Sequence, residues 1–158
     1  MLNFSAKPDY KEAFSILTDE YASEKRLNRA KKALRCKTNT PREYMALVFL
    51  CALRGVWGKG DRYKTSFDML LSFLGDHSFF PELKDCVSSP AVKKEYERGA
   101  VRHNYYALSY LAFAYHYGWG ADINEQKAKE LVLRAKKIGG DMPQGDCVEA
   151  VFSAISKA

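Results

Sequence analysis

Apolar residues recur along this chain at the three- and four-residue intervals of amphipathic helices, most clearly in two neighbouring stripes. The first stripe consists of Ala107, Leu108, Leu111, Ala114 and Tyr115, and the second of Ala128, Leu131, Val132, Ala135 and Ile138. Gly118 and Gly120 lie between them and tolerate the positive φ of a tight reversal, while Asn124 can cap the second helix. Since each stripe needs an apolar partner, the pattern predicts an antiparallel helix pair over 104–140.

Less regular stripes cover most of the remaining chain. They predict an N-terminal helix pair over 8–37, a degenerate repeat over 42–75, an irregular helical insertion over 79–103 and a C-terminal capping helix over 144–157. Pro81 and Pro90 divide the insertion into a short helix over 81–87 and a second helix from Ala91, for which Gly99 is a candidate end. No segment alternates like a strand, so we expect a single all-α domain over 1–158.

The residues of the 104–140 segment also follow the order of a known repeat. They are Ala107, Leu111, Tyr115, Gly118, Gly120, Lys127, Ala128, Leu131, Ala135 and Gly139. This order resembles the Sel1-like repeat, a relative of the tetratricopeptide repeat, although Ala112 replaces a commoner glycine, Leu131 an aromatic residue and Lys136 an alanine. Trp57 and Gly58 mark a weaker upstream copy. The resemblance implies a short right-handed solenoid of antiparallel helix pairs.

The same resemblance implies where a partner protein would bind. In such repeats the first helices of successive pairs line a concave surface. Carried over to this chain, that surface consists of Tyr106, Ser109, Phe113, His116 and Tyr117 in the well-matched repeat, and of Tyr44, Leu47, Cys51 and Arg54 in the degenerate one. A stripe of aromatic residues at helical spacing, Tyr106, Tyr110, Phe113 and Tyr117, is either part of this surface or is buried by neighbouring helices.

The whole chain has a formal net charge of +6, and its basic residues are concentrated in one short stretch. The basic residues are Lys25, Arg26, Arg29, Lys31, Lys32, Arg35, Lys37 and Arg42. On a helix, Arg29 and Lys32 share a polar face, which predicts a solvated surface, a docking patch for an acidic protein or a phosphate-tracking surface. Aromatic residues that could stack on bases are missing from this helix, which disfavours nucleic acid.

Sequence motifs of catalysis and cofactor binding are missing. Lys59 and Lys64 lie near glycines, but not in the order of a phosphate-binding loop. The three histidines, His77, His103 and His116, are not spaced to bind a metal together or with the cysteines. The four cysteines, Cys36, Cys51, Cys86 and Cys147, are scattered, and we expect free thiols. We therefore assign no catalytic, cofactor-binding or metal-binding residue.

These observations favour a protein that binds rather than catalyses. No apolar run approaches the roughly 20 residues of a membrane span, and the N-terminus lacks a secretory signal, so we expect a cytoplasmic protein. The interpretation is an adaptor or protein–protein interaction module that binds an acidic partner through a concave helical groove. An immunity protein that neutralises a bacterial toxin by direct binding is the alternative, and nucleic-acid binding through 25–42 is a lesser one. The oligomeric state stays open.

Overall fold

A computed structural model describes residues 7–76, 80–139 and 152–155 of the chain. Within these ranges the secondary structure is entirely helical, which confirms the all-α prediction. The helices are α1 (Tyr10–Leu17), α2 (Glu24–Lys31), α3 (Pro41–Leu53), α4 (Arg62–Asp76), α5 (Pro81–Val87), α6 (Pro90–Val101), α7 (Tyr105–Tyr117) and α8 (Glu125–Gly139). A 3-10 helix, Lys32–Arg35, continues α2 directly. None of the helices described is both long and apolar enough to cross a membrane.

Helix boundaries follow local capping and proline. The side chains of Asp9, Ser23, Thr40, Ser89 and Asn104 each accept a hydrogen bond from the first turn of the helix that follows, and Asn124 does the same for α8. Prolines begin α3, α5 and α6, where the missing N–H costs no hydrogen bond. The two helices predicted within the 79–103 insertion are thereby confirmed as α5 and α6.

Gly99 does not end α6, contrary to the sequence-based expectation, because the helix continues to Val101. A Cβ at this position would lie 2.7 Å from the Cβ of Ala107 and 2.8 Å from the ring of Tyr63. Glycine therefore permits close packing of α6 against α7. The turn that joins them includes His103 with a φ of 60°, a left-handed conformation that few side chains adopt.

Three neighbouring helix pairs are antiparallel. The α1–α2 pair is bridged by Arg29 and Glu12, and the α6–α7 pair by a stack of Tyr96 on Tyr110 with ring centroids 3.7 Å apart. The most extensive helix contact joins α7 to α8, where Gly139 at the end of α8 lies directly against the ring of the α7 residue Tyr105. Gly118, with a φ of 80°, ends α7 as a left-handed cap, as its position in the sequence suggested.

Aromatic side chains from α4, α6 and α7 meet in the centre of the molecule. Phe67 packs edge-on against Phe113 with ring centroids 5.5 Å apart, and the hydroxyls of Tyr96 and Ser66 are 2.6 Å apart. Phe152, in a helical turn over 152–155, also packs edge-on against Phe113, with ring centroids 6.1 Å apart. Most of the predicted capping helix over 144–157 lies outside the described residues.

A buried carboxylate ties four parts of the fold together. Glu95 of α6 accepts a hydrogen bond from Arg62 at 2.9 Å and from Arg98 at 3.3 Å, and the Nε atom of Arg54 lies 3.9 Å away. Arg54 also donates to the carbonyl oxygens of Leu17 and Asp19 at 2.7 and 3.0 Å. This cluster joins the end of α1 to α3, α4 and α6.

Three cysteines lie in the described part of the chain, and all three are free thiols. Cys51 and Cys86 are buried in the core, and burial raises the pKa of Cys51 to about 12. Cys36 is half-buried, and its hydrogen bond with Thr38 lowers the pKa of its thiol. Cys147 lies outside the described residues.

Candidate functional site

A groove of about 450 Å³ opens between the end of α2, with the 3-10 helix that continues it, and residues from the two ends of α3. It is lined by Asn28, Lys31, Lys32, Leu34, Arg35, Tyr44 and Trp57. Its volume falls within the range of roughly 300–1,000 Å³ that is usual for ligand sites. We call these seven residues the basic–aromatic groove.

The basic wall of the groove is built by α2 and the 3-10 helix that continues it. Ser23 caps α2 by accepting a hydrogen bond from the backbone N–H of Arg26 at 3.2 Å. At the other end, the Asn39 side chain donates to the carbonyl oxygen of Ala33 at 2.7 Å and fixes the 3-10 turn. Lys31, Lys32 and Arg35 thus project from one short, locally braced segment.

The aromatic residues come from the two ends of α3. Tyr44 lies in its first turn, which a capping box between Thr40 and Glu43 and the proline at position 41 hold in place. Trp57 follows the helix in a loop that folds back through a hydrogen bond from the N–H of Val56 to the carbonyl of Cys51 at 3.0 Å. Tyr44 is 45% exposed and Trp57 36% exposed, so both rings offer apolar surface to solvent.

The basic residues of the groove have no ion-pair partners among the described residues. No acidic side chain lines it, and neither Lys31, Lys32 nor Arg35 forms an ion pair with any residue of the described ranges. Other cations of the 25–42 segment point elsewhere: Arg26 pairs with Asp19 and Arg29 with Glu12, each at 3.2 Å. The fold therefore separates the basic run into a face that pairs with acids of α1 and its flanking turn, and a groove face for which the described ranges provide no ion-pair partner.

Two further cavities differ from the groove in their charge. One of about 400 Å³ beside α1 is lined by both acids and bases, including Asp9, Glu12, Lys11 and Arg26. Another of about 210 Å³, between α6, α7 and α8, combines Glu97 with Lys127 and Arg134. Mixed charges give neither cavity a clear preference for one sign of partner.

Four residues predicted to bind a partner are buried, so that part of the sequence-based prediction is wrong. They are Leu47, Arg54, Ser109 and Phe113. Leu47 and Phe113 have no exposed surface, and the Ser109 hydroxyl donates to the carbonyl of Tyr105 within α7 at 2.9 Å. Cys51, carried over with them from the repeat pattern, is buried as well.

The buried Arg54 side chain connects neighbouring elements of the fold. Its guanidinium bonds to two backbone carbonyls at the end of α1 and lies beside the Glu95 carboxylate. Burial lowers the pKa of Arg54, and the charge of Glu95 acts in the opposite direction. No part of this arginine is presented for selecting an acidic partner.

The other predicted residues on α7 do not form one surface. Tyr106, near the start of the helix, is half-buried with the Lys64 amine 5.7 Å from its ring centroid. At the opposite end His116 lies 2.8 Å from Glu125, and Tyr117, 47% exposed, stacks on Trp119. Eleven residues of helical rise separate Tyr106 from Tyr117 by roughly 16 Å. Tyr110, between them, belongs to the core.

Of the ten predicted partner-binding residues, the fold brings Tyr44 and Lys32 together in the groove. Arg29 lies outside it, in its ion pair with Glu12. The sequence analysis missed Trp57, Lys31 and Arg35 as partners of Tyr44. Their only signal in the sequence is that both aromatic residues flank an almost wholly apolar helix that follows the basic run.

No protein-family model matches this chain, and no curated protein or solved structure matches it with statistical significance. The geometry of the groove is therefore the basis for the functional proposal.

Proposed function

We propose that this protein is a non-catalytic binding module that captures an acidic, exposed segment of a partner protein in the basic–aromatic groove. The observation that carries this proposal is the placement of three cations beside two exposed aromatic rings, where the described part of the chain supplies neither an ion-pair partner for these cations nor an acidic residue in the lining. Two of the residues, Tyr44 and Lys32, are also those that the resemblance and the charge pattern suggested for binding.

The physical basis is a combination of charge and apolar contact. Each exposed ion pair contributes no more than about 1 kcal/mol, and salt screens it over roughly 10 Å at 0.1 M. Tyrosine and tryptophan add apolar area at little cost in side-chain entropy, and both residue types are enriched where binding energy is concentrated. We expect weak to moderate affinity that falls as salt concentration rises.

The helix pairing supports the further proposal that the chain is a Sel1-like, right-handed solenoid that acts as a cytoplasmic adaptor. The supporting features are the antiparallel α7–α8 pair, its left-handed Gly118 and the close contact of Gly139 with Tyr105. An immunity protein would use the same groove on a toxin. A tight one-to-one complex that abolishes toxicity would distinguish it from an adaptor.

Nucleic acid is the second candidate partner for the groove, because the fold places aromatic residues beside the basic helix, which has none of its own. Single-strand binding needs a cationic path along the phosphates as well as stacking rings. Here Arg26 and Arg29 turn away toward Asp19 and Glu12, which leaves a short basic wall. We therefore favour an acidic protein segment.

Removing the charge of the groove tests the proposal. In the double variant Lys31→Gln, Lys32→Gln, binding of a deca-glutamate peptide at low salt should weaken about five- to tenfold, as expected for two lost ion contacts. The matched control is Lys136→Gln, Lys137→Gln, which removes an adjacent exposed lysine pair from the last turn of α8. Isothermal titration calorimetry measures both.

Equal weakening in the two double variants would show that only the net charge matters, which would contradict the groove as the site. A thymidine decanucleotide serves as the nucleic-acid comparison. If it binds more tightly than the peptide, and the groove variant alone abolishes its binding, the partner class is nucleic acid and the proposal is wrong.

A further inference from the structure

The two rings of the basic–aromatic groove come from opposite ends of α3, Tyr44 from its first turn and Trp57 from the loop after it. Helix α1 runs parallel to α3, since its last residue Leu17 meets Arg54 while α2 folds back along α1. This course implies that α2 runs antiparallel to α3, which would place Asn28 toward Trp57 and Arg35 toward Tyr44. The cations line the wall between the rings.

The length of α3 sets the distance between these apolar ends. From Tyr44 to Leu53 the helical rise is roughly 14 Å, and Trp57 lies beyond Leu53 in the loop. An extended peptide advances roughly 3.3 Å per residue and its side chains alternate between two faces, so two side chains four positions apart share one face and are separated by roughly 13 Å. The three residues between them would pass along the cationic wall.

We propose that the groove recognises a bipartite segment: an extended acidic stretch of about three residues flanked on both sides by an aromatic or large apolar residue. Resting on the function proposed above, this inference adds the pattern of the partner. Its acidic residues lie beside Lys31, Lys32 and Arg35, and its flanking side chains, which share one face of the peptide, cover the exposed faces of Tyr44 and Trp57. A purely acidic segment would leave both rings in water.

Three acetylated and amidated pentapeptides of equal charge test the pattern. The first is Phe-Glu-Glu-Glu-Phe, the second has the same composition with adjacent phenylalanines, Glu-Phe-Phe-Glu-Glu, and the third is Ser-Glu-Glu-Glu-Ser. We expect calorimetry at low salt to give the first peptide about tenfold tighter binding than either of the others, because only its rings reach both ends of the groove.

Variants of the rings show whether this advantage arises in the groove. Trp57→Ser and Tyr44→Ser should each reduce the advantage of the first peptide about threefold and leave binding of the third, serine-flanked peptide unaffected. Tyr21→Ser is the matched control, since Tyr21 is an aromatic residue 85% exposed outside the groove. Thermal unfolding of each variant checks that it is folded.

The possible results separate this inference from the proposed function. If all three peptides bind equally and all depend on Lys31 and Lys32, the groove binds acidic segments but the bipartite pattern is wrong. If the adjacent-phenylalanine peptide binds as tightly as the first, the spacing is wrong. If no peptide binds at millimolar concentration in low salt, the proposed function itself is contradicted.

Discussion

At the scale of single residues, two stacked tyrosines differ in whether their hydroxyl groups have a hydrogen-bond partner. The rings of Tyr96 and Tyr110 are both wholly buried, and they stack 3.7 Å apart. The Tyr96 hydroxyl lies 2.6 Å from that of Ser66, whereas the Tyr110 hydroxyl has no hydrogen-bond partner among the described residues. A buried hydroxyl without a partner loses its hydration and gains nothing in return.

Removing these hydroxyls one at a time should give opposite results. Tyr96→Phe should lower the free energy of unfolding by about 1–2 kcal/mol, because a buried hydrogen bond is lost. Tyr110→Phe should leave stability unchanged or raise it by up to about 1 kcal/mol, because an unsatisfied group is removed. Urea unfolding measures both variants. Equal destabilisation would indicate that the Tyr110 hydroxyl has a partner.

The same two tyrosines predict alkaline unfolding. Burial raises the pKa of both above the usual value of about 10, and the protonated form is therefore the one that the folded state retains. Above pH 10 the unfolded chain releases protons that the folded chain keeps. The contribution of these two tyrosines to stability is thus complete below that pH and falls above it, by about 1.4 kcal/mol per pH unit for each tyrosine.

Denaturant titrations between pH 9 and pH 11.5 check this expectation. Tyr110→Phe should make the decline shallower than in the unaltered protein, because one titrating group is gone. An identical slope in the two proteins would place the titration elsewhere.

At the scale of helices, the cluster around Glu95 is one of the contacts that connect the N-terminal pair to the rest. Its carboxylate is buried among Arg54, Arg62 and Arg98, and Arg54 reaches the last turn of α1. A buried ion pair is costly to form, but breaking it leaves an uncompensated charge inside the protein.

Glu95→Gln should therefore destabilise the protein by about 3–5 kcal/mol, as for other broken buried pairs. Glu97→Gln is the matched control on the same helix, where the glutamate is half-exposed and paired with Lys93 at 3.2 Å. This change should cost less than about 1 kcal/mol. Chemical denaturation compares the two. Similar small losses would mean that Arg54 is satisfied by the backbone carbonyls alone.

At the scale of the whole molecule, the helices could be predicted from the sequence because their signals are local. Apolar periodicity, proline at first helical positions and glycine in the α7–α8 turn act within a few residues. The burial of Leu47 and Phe113 could also have been recognised: α3 and α7 are apolar on nearly every face, which is typical of central helices. The repeat resemblance placed these residues on a surface instead.

The groove depends on long-range packing, which one sequence does not reveal. Trp57 and Lys31 are separated along the chain by all of α3, and only the antiparallel course of α2 brings them to one groove. The pairing of Arg26 and Arg29 with acids of α1 is likewise a result of packing. The density of basic residues along the chain therefore predicted a larger basic surface than the fold presents. The same local inspection did not reveal that Tyr44 and Trp57 lie beside these cations.

The most direct test of the central claim is a ¹⁵N NMR titration with an acidic peptide at low salt. The chain has two tryptophans, whose indole N–H signals report on different places: Trp57 in the groove and Trp119, buried at the end of α7. Binding in the groove predicts that the Trp57 signal and the amides of Lys31 to Arg35 shift together while the Trp119 signal stays fixed. A shift of Trp119 with Trp57 unmoved would contradict the account.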